Sequence, residues 1–273
     1  MRQVSSNGKQ YHIDCEKGDL ANYLLVPGDP DRVTKIVKFW DLAKEVSSHR
    51  EFHSFTGRYK GIPVSVLSSG IGPACMAIAF SEAANVGVTT FIRVGSTGAI
   101  QRGIKCGDVI ISSAAVRLDC TSNCYIMPEY PAVAHYEVLL ALIEAAECLG
   151  VSKYHVGVTA TTADFYAGQS RLTAKGCSTQ SENLLPALEK AGVLNFDMET
   201  ATLYTLASLH GLRAGSVCAV VANRCTNEFG DDGAEETVIR IANEAVRILN
   251  EWDKLKGKAG KPFLFPSLMR SAR

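Results

Sequence analysis

Three arginines stand where an anion could be held. Arg32 follows Pro27-Gly28-Asp29-Pro30-Asp31, at the start of a helical stretch. Gly28 allows a ligand to approach the backbone closely, and the free N–H groups and dipole of a helix start favour negative charge. Arg93 lies in an apolar run followed by Gly95-Ser96-Thr97-Gly98. A buried arginine must pair with a carboxylate or face a ligand, because an isolated buried charge is costly. Ser96 and Thr97 add hydroxyl donors between two glycines. Arg50, in Ser48-His49-Arg50-Glu51-Phe52-His53, is a further candidate donor. A phosphate-like anion fits this set. A tight turn with a solvated Arg32, and an Arg93–carboxylate salt bridge, are the plainer readings.

Two constellations in the second half suit a flat ring and a sugar. In Phe165-Tyr166-Ala167-Gly168-Gln169-Ser170-Arg171, Gln169 offers a donor and an acceptor, matching the carbonyl and N–H edge of a pyrimidine. Arg171 can hold a second carbonyl, and Phe165 offers a face for the ring. By itself the segment also reads as a surface loop. Asn195-Phe196-Asp197-Met198-Glu199-Thr200 runs into a helical stretch. Glu199 is there either as a helix cap or as the acceptor of a bidentate hydrogen bond from a ribose diol.

Other chemistries find no support. His49 and His53 would share a face if their segment were helical, but Arg50 stands where a zinc-protease helix needs Glu, and a third ligand is missing. No metal site is expected. Gly-Lys-Ser and Gly-Lys-Thr are absent, Gly70-Ile71-Gly72 lacks the third glycine of a dinucleotide fingerprint, and no Gly-x-Ser-x-Gly elbow occurs.

The elements that must position these residues alternate. Strands are expected at Tyr23 to Val26, Pro63 to Leu67, Thr89 to Val94, Asp108 to Val116, His155 to Thr161 and Arg213 to Val221. Helices are expected at Val33 to Phe39, Ala74 to Asn85, Ala132 to Leu149, Glu182 to Ala191, Glu199 to Leu209 and Glu235 to Trp252. This order predicts an α/β fold with a buried, parallel or mixed sheet, whose ligands gather at the carboxyl ends of strands. One domain is expected, with a peripheral extension from Lys254.

The 273 residues carry 28 basic and 28 acidic side chains, so no nucleic-acid or anionic-membrane surface is indicated. Nine cysteines without Cys-x-x-Cys spacing argue for free thiols in a reducing compartment. Met1 to Glu16 has no apolar core of a secretory signal, and no stretch reads as a membrane span, so the expected location is the cytoplasm.

Taken together, Pro27 to Arg32, Ser48 to Phe52, Arg93 to Gln101, Phe165 to Arg171 and Asp197 to Leu203 resemble the nucleoside phosphorylase family in order and spacing. That family also holds purine phosphorylases and methylthioadenosine nucleosidases. The resemblance covers about residues 11 to 250. Gln169 and Arg171 resemble the uridine phosphorylase branch in particular. The resemblance implies a single α/β domain with a distorted mixed sheet flanked by helices. It implies phosphorolysis of a nucleoside, with inorganic phosphate as co-substrate and no cofactor.

It also implies residue roles. Phosphate would meet Gly28, Arg32, Arg93 and Ser96, with Arg50 arriving from a neighbouring subunit. The ribose would meet Met198, Glu199 and the neighbour's His12. The base would meet Phe165, Gln169, Arg171 and Arg224. The implied assembly is a homodimer, or a hexamer built from dimers, with shared sites. Purine nucleoside phosphorylase, a nucleosidase of the same fold, and a non-catalytic nucleoside-binding protein are the alternatives. Asp197 stands where the family usually has Glu, and Pro73 and Cys75 stand where bacterial uridine-cleaving members have Gly and Ser.

Overall fold

The computed structural model describes residues 8–171, 183–230 and 233–270. Its elements run β1 (Tyr23–Val26), α1 (Pro30–Val37), β2 (Leu42–His49), β3 (Phe52–Tyr59), β4 (Ile62–Leu67), α2 (Pro73–Asn85), β5 (Thr90–Ala99) and β6 (Val109–Leu118). They continue with β7 (Ala132–Val133), α3 (Tyr136–Cys148), β8 (Tyr154–Thr162), α4 (Leu184–Lys190), β9 (Asn195–Asp197) and α5 (Thr200–Leu209). Last come β10 (Arg213–Asn223), β11 (Glu228–Phe229), α6 (Ala234–Ala259) and α7 (Pro266–Arg270). The expected α/β class is what the chain adopts.

All strands join one mixed sheet. β1 is buried along its whole length because it lies between two parallel neighbours, β4 and β5. Such a strand must be apolar on both faces, and Tyr-Leu-Leu-Val is. β5 pairs with β1, β10 and β9. The pairings β10–β6, β6–β8 and β8–β9 close a five-stranded ring with β5. This closure is the distortion of the sheet, and it crowds the carboxyl ends of β5, β8 and β10 together. α3 and α6 pack one face through Val138, Leu142, Ile241 and Val246. α2 and α5 pack the other through Phe80, Leu203 and Tyr204.

Several local expectations shift. α1 begins at Pro30, ahead of the expected Val33, because the Asp29 side chain accepts the Asp31 N–H at 2.9 Å and Pro30 suits the first helical position. The helix expected from Ala132 starts at Tyr136, since Ala132 and Val133 pair with β6 as β7. The stretch around His49 and His53 is a β-hairpin, not a helix. Ser48 pairs with His53 and His49 with Phe52, which puts the two imidazoles on opposite faces and removes the shared-face metal geometry. The strand expected to end at Val94 runs on through Gly95 to Gly98, the second half of β5, and pairs with β10 through Ala99. Glu182, the expected start of one helix, lies outside the described residues; its helix is seen from Leu184.

Lys254 belongs to α6 and not to a loose extension. α6 runs on to Ala259 with Lys256 and Lys258 in its last turn, and stops at a left-handed Gly260. Leu264 and Leu268 beyond it are buried. Asp253 of α6 accepts bonds from both terminal nitrogens of Arg213 at 2.7 Å and from the Tyr23 hydroxyl at 2.6 Å. Burial pushes the Asp253 carboxyl up, but Arg213 and Tyr23 outweigh it and hold it at about 2. A depressed carboxylate contributes stability above its unfolded value, and that contribution is lost as pH falls through about 2. Asp253→Asn should therefore cost on the order of 1 kcal/mol at neutral pH after solvent screening, or roughly 2–4 °C in Tm. Thermal melts from pH 7 down to pH 2 should show the two proteins converging in the acid; a gap that persists there would contradict the assignment.

Candidate active site

A cavity of about 590 Å³ opens at the carboxyl ends of β1, β5, β8 and β10. That is the size of a small-molecule site, and the place where ligands gather in such sheets. Gly28, Arg32, Arg93, Ser96, Phe165, Gln169, Arg171, Met198 and Glu199, nine of the expected site residues, line it.

At one end stand the two arginines. Arg93 is 3% exposed, deep in β5, and its two plain readings turn out to be compatible. Its Nε donates to Asp197 at 2.9 Å and its Nη2 to Glu199 at 2.6 Å, while the guanidinium still lines the cavity. Burial alone would lower its pKa, but Glu199, Cys218 and Asp197 drive it upward, so it is a fixed cation. Gly95 is required beside it: a Cβ there would sit 2.8 Å from the Arg93 Nη2 and 2.8 Å from the Cys218 sulfur. Arg32 is buried rather than solvated. Its Nε donates to Glu235 at 2.8 Å and its Nη1 to the Val94 carbonyl at 3.1 Å. Both guanidiniums are thus organised on the same stretch of β5.

Asp197 is the shorter carboxylate at this position, and its neighbours hold it. Its Oδ1 accepts from the Thr161 hydroxyl at 2.6 Å, and its Oδ2 accepts from the N–H and hydroxyl of Thr200. With these bonds in place it still reaches Arg93.

Glu199 sits at the N-cap position of α5, but its side chain makes no capping bond. Its Oε1 accepts the Gly72 N–H at 2.6 Å and its Oε2 takes the bond from Arg93. Burial pushes this carboxyl up from its ordinary value; Arg93 opposes the shift and Asp197 adds to it. A carboxylate spanning a backbone N–H and an arginine, beside Met198 at the cavity wall, is suited to accept from vicinal hydroxyls.

The other end carries the amide and the ring. A 3-10 turn, Ala167–Gln169, follows β8 and ends at Ser170 in the left-handed region. Asp164 accepts the Gly168 N–H at 2.9 Å and so fixes the turn. Gln169 is buried and faces the cavity. The Arg171 guanidinium lies 4.2 Å over the Phe165 ring, and burial lowers its pKa from the ordinary value.

Three expected residues do not line this cavity. Arg224 stands behind it and donates to the Gln169 carbonyl at 3.0 Å. His12 and Arg50 are absent from the lining and meet Glu82, His49 and Tyr11 instead. The His12 Nδ1 meets Glu82 at 2.6 Å, the His49 Nδ1 contacts the His12 carbonyl at 2.9 Å, and the Arg50 guanidinium lies 5.6 Å over Tyr11. Other wall residues were not singled out in the sequence. Glu51 and Phe229 line the cavity; Glu51 lay within a recognised segment, whereas Phe229 carried no local signal.

Val220 to Arg224, at the end of β10, contain no carboxylate. Asn223 is fully engaged with backbone: its amide donates to the carbonyls of Gln101 and Ile104, and its oxygen accepts from the N–H groups of Cys225 and Thr226.

Residues 22–251 match the family model described as the Phosphorylase superfamily. The chain is 56% identical to a uridine phosphorylase of Thermococcus kodakarensis, over 98% of this chain and 96% of that one. It is 42% identical to the uridine phosphorylase of Escherichia coli, over 90% of this chain and 97% of that one. A guanosine phosphorylase of Halorubrum lacusprofundi is 35% identical over 84% of this chain and 90% of its own length.

Proposed function

The chain belongs to the phosphorylase superfamily, and from that premise we propose that it is a uridine phosphorylase, converting uridine and phosphate reversibly to uracil and ribose 1-phosphate. The observation that carries the reading is one cavity lined both by Arg32 and Arg93, held beside Val94 and Gly95 of β5, and by Gln169, Arg171 and Phe165, with Arg171 further along β5 beside Gly98. Glu199 stands with the first two arginines, bonded to Arg93.

In this reading phosphate lies against Gly28, Arg32, Arg93 and Ser96. The arginines fix the nucleophile beside C1′, so attack is positioned rather than a matter of encounter. Glu199 accepts from the ribose hydroxyls beside Met198, and its charge favours the positive character that the sugar acquires as the glycosidic bond breaks. The bonding electrons move onto the base. Gln169 and Arg171 hold the uracil oxygens where that charge accumulates, and Arg224 braces Gln169 from behind. No step requires a cofactor.

The purine alternative needs a general acid for its leaving base. Asn223 supplies none, because a carboxamide has no proton to give at neutral pH, and its groups are already bonded to backbone. A uracil anion spreads its charge over two carbonyls and needs such an acid less.

His12 and Arg50 do not line their own cavity, which supports the reading that each completes the site of a neighbouring subunit. The minimum working unit is then a dimer, and a hexamer built from dimers is compatible with it. We place the enzyme in the cytoplasm. No helix among the described residues is long and apolar enough to cross a membrane.

The test is a substrate panel with and without phosphate. Uracil should be released from uridine only when phosphate is present, with stoichiometric ribose 1-phosphate. Phosphate-independent release would make the protein a hydrolase, inosine cleaved much faster than uridine would overturn the base assignment, and binding without turnover would make it a nucleoside-binding protein.

A further inference from the structure

Glu235 does not line the cavity, yet it touches a residue that does. It lies in the first turn of α6. Its Oε1 accepts the Arg32 Nε at 2.8 Å and its Oε2 accepts Lys35 at 2.7 Å. Burial pushes the Glu235 carboxyl up, but Lys35 and Arg32 outweigh it and hold it below its ordinary value, so it is a carboxylate at neutral pH. The only other hydrogen bond seen for the Arg32 guanidinium among the described residues runs from Nη1 to the Val94 carbonyl.

We propose that Glu235 is a positioning residue for phosphate capture. By holding Nε, while Val94 holds one Nη1 proton, it turns the remaining edge of the Arg32 guanidinium toward the nucleophile. An arginine has about 2 kcal/mol of rotamer entropy to lose, and two fixed bonds remove that cost before phosphate arrives. The contact also ties α6 to the phosphate end. α6 follows β11, whose Phe229 lines the same cavity. The inference rests on the phosphorolysis reading.

Two effects oppose each other here, which makes the sign informative. A carboxylate near a phosphate site repels the dianion, so neutralising it would tighten phosphate binding if the field dominated. Lys35 already offsets most of that charge from the far side, so the field is weak at the cavity. Release of the guanidinium then dominates, and phosphate binding should weaken.

Steady-state kinetics with phosphate varied at saturating uridine test this on Glu235→Gln, Glu235→Asp, Lys35→Ala, Arg32→Ala and the Arg32→Ala/Glu235→Gln pair. Glu235→Gln should raise the phosphate KM about tenfold, as expected for loss of one charge-assisted bond. Its kcat and uridine KM should stay within about twofold. Glu235→Asp, which keeps the charge, should fall between wild type and Gln. Lys35→Ala keeps the Arg32 bond but unmasks the carboxylate's field, so it should raise the phosphate KM by less than Glu235→Gln does. The pair should be no worse than Arg32→Ala alone, because both act through one guanidinium. A lower or unchanged phosphate KM in Glu235→Gln, with Arg32→Ala still raising it, would sink the positioning role and leave phosphorolysis standing. A fall in kcat and Tm together with a rise in both KM values would show Glu235 to be structural only. If Arg32→Ala itself leaves the phosphate KM unchanged, the assignment of phosphate to Arg32 fails and takes this inference with it.

Discussion

Glu199→Gln should lower kcat/KM for uridine by about 10²–10³, the range measured when one transition-state contact is deleted, while leaving Tm within a few degrees of wild type. The activity argument starts from the two bonds of the carboxylate. Oε1 accepts from Gly72 and Oε2 from Arg93, so both partners are donors. A glutamine of the same shape must turn its NH2 toward one of them, leaving a donor facing a donor. The ribose diol then meets a misaligned, neutral amide, and the negative charge beside the developing sugar cation is gone. The stability argument runs the other way. Burial already disfavours the ionised form of Glu199, and Arg93 keeps its bond to Asp197. Removing one of two buried carboxylates around one arginine relieves a desolvation cost as it removes an attraction, and because Arg93 keeps Asp197 the large cost of leaving a buried charge unpaired is avoided. Comparing uridine with 2′-deoxyuridine separates the roles. The deoxy substrate lacks one hydroxyl, so the Gln variant should be penalised less on it. An equal penalty on both substrates would remove Glu199 from ribose recognition.

The residues that touch the proposed ligands were largely legible in the sequence, because each stands in a local pattern that ordinary packing does not require. Arg93 in an apolar strand asks for a partner, and Gly28 before a helix start asks for a close approach. Gly95 was read correctly as special but for the wrong reason. Glycines with hydroxyl residues read as a turn, whereas here the glycine admits the Arg93 guanidinium over a continuing strand. The β2–β3 hairpin was missed for a related reason. β2 is exposed along most of its length, so it lacks the alternation that marks a half-buried strand. Residues that act through tertiary contact were beyond reach altogether. Glu235 meets Arg32 only because α6 packs back across the sheet, and in the sequence it is merely an acid in a first helical turn. The ring closed by β5, β10, β6, β8 and β9 is likewise a property of long-range pairing that no local pattern contains.

Arg171→Ala should reduce kcat/KM for uridine by about 10²–10³ with little change in the phosphate KM, since Arg171 sits by Gly98, further along β5 than Val94 and Gly95 where Arg32 and Arg93 are held. The guanidinium stacks 4.2 Å over Phe165, so truncation also loosens the face on which the base rests. That second effect would weaken substrate binding uniformly and raise KM, whereas loss of charge stabilisation lowers kcat. The leaving group tells them apart. Fluorine at position 5 of uracil stabilises the departing anion by itself, so 5-fluorouridine needs less help from the protein. If Arg171 acts on the developing charge, the variant's deficit on 5-fluorouridine should be smaller than on uridine by about tenfold, or 1.4 kcal/mol of transition-state stabilisation. If Arg171 only clamps the ring, the two deficits should be equal, because the fluorine leaves the packing surface nearly unchanged. Burial bears on which outcome to expect. A guanidinium that has lost part of its hydration, as the lowered pKa of Arg171 shows, interacts more strongly with an anion that forms beside it than a solvated one would. The same burial that makes this cation costly in the resting enzyme is what makes it effective when the glycosidic bond breaks.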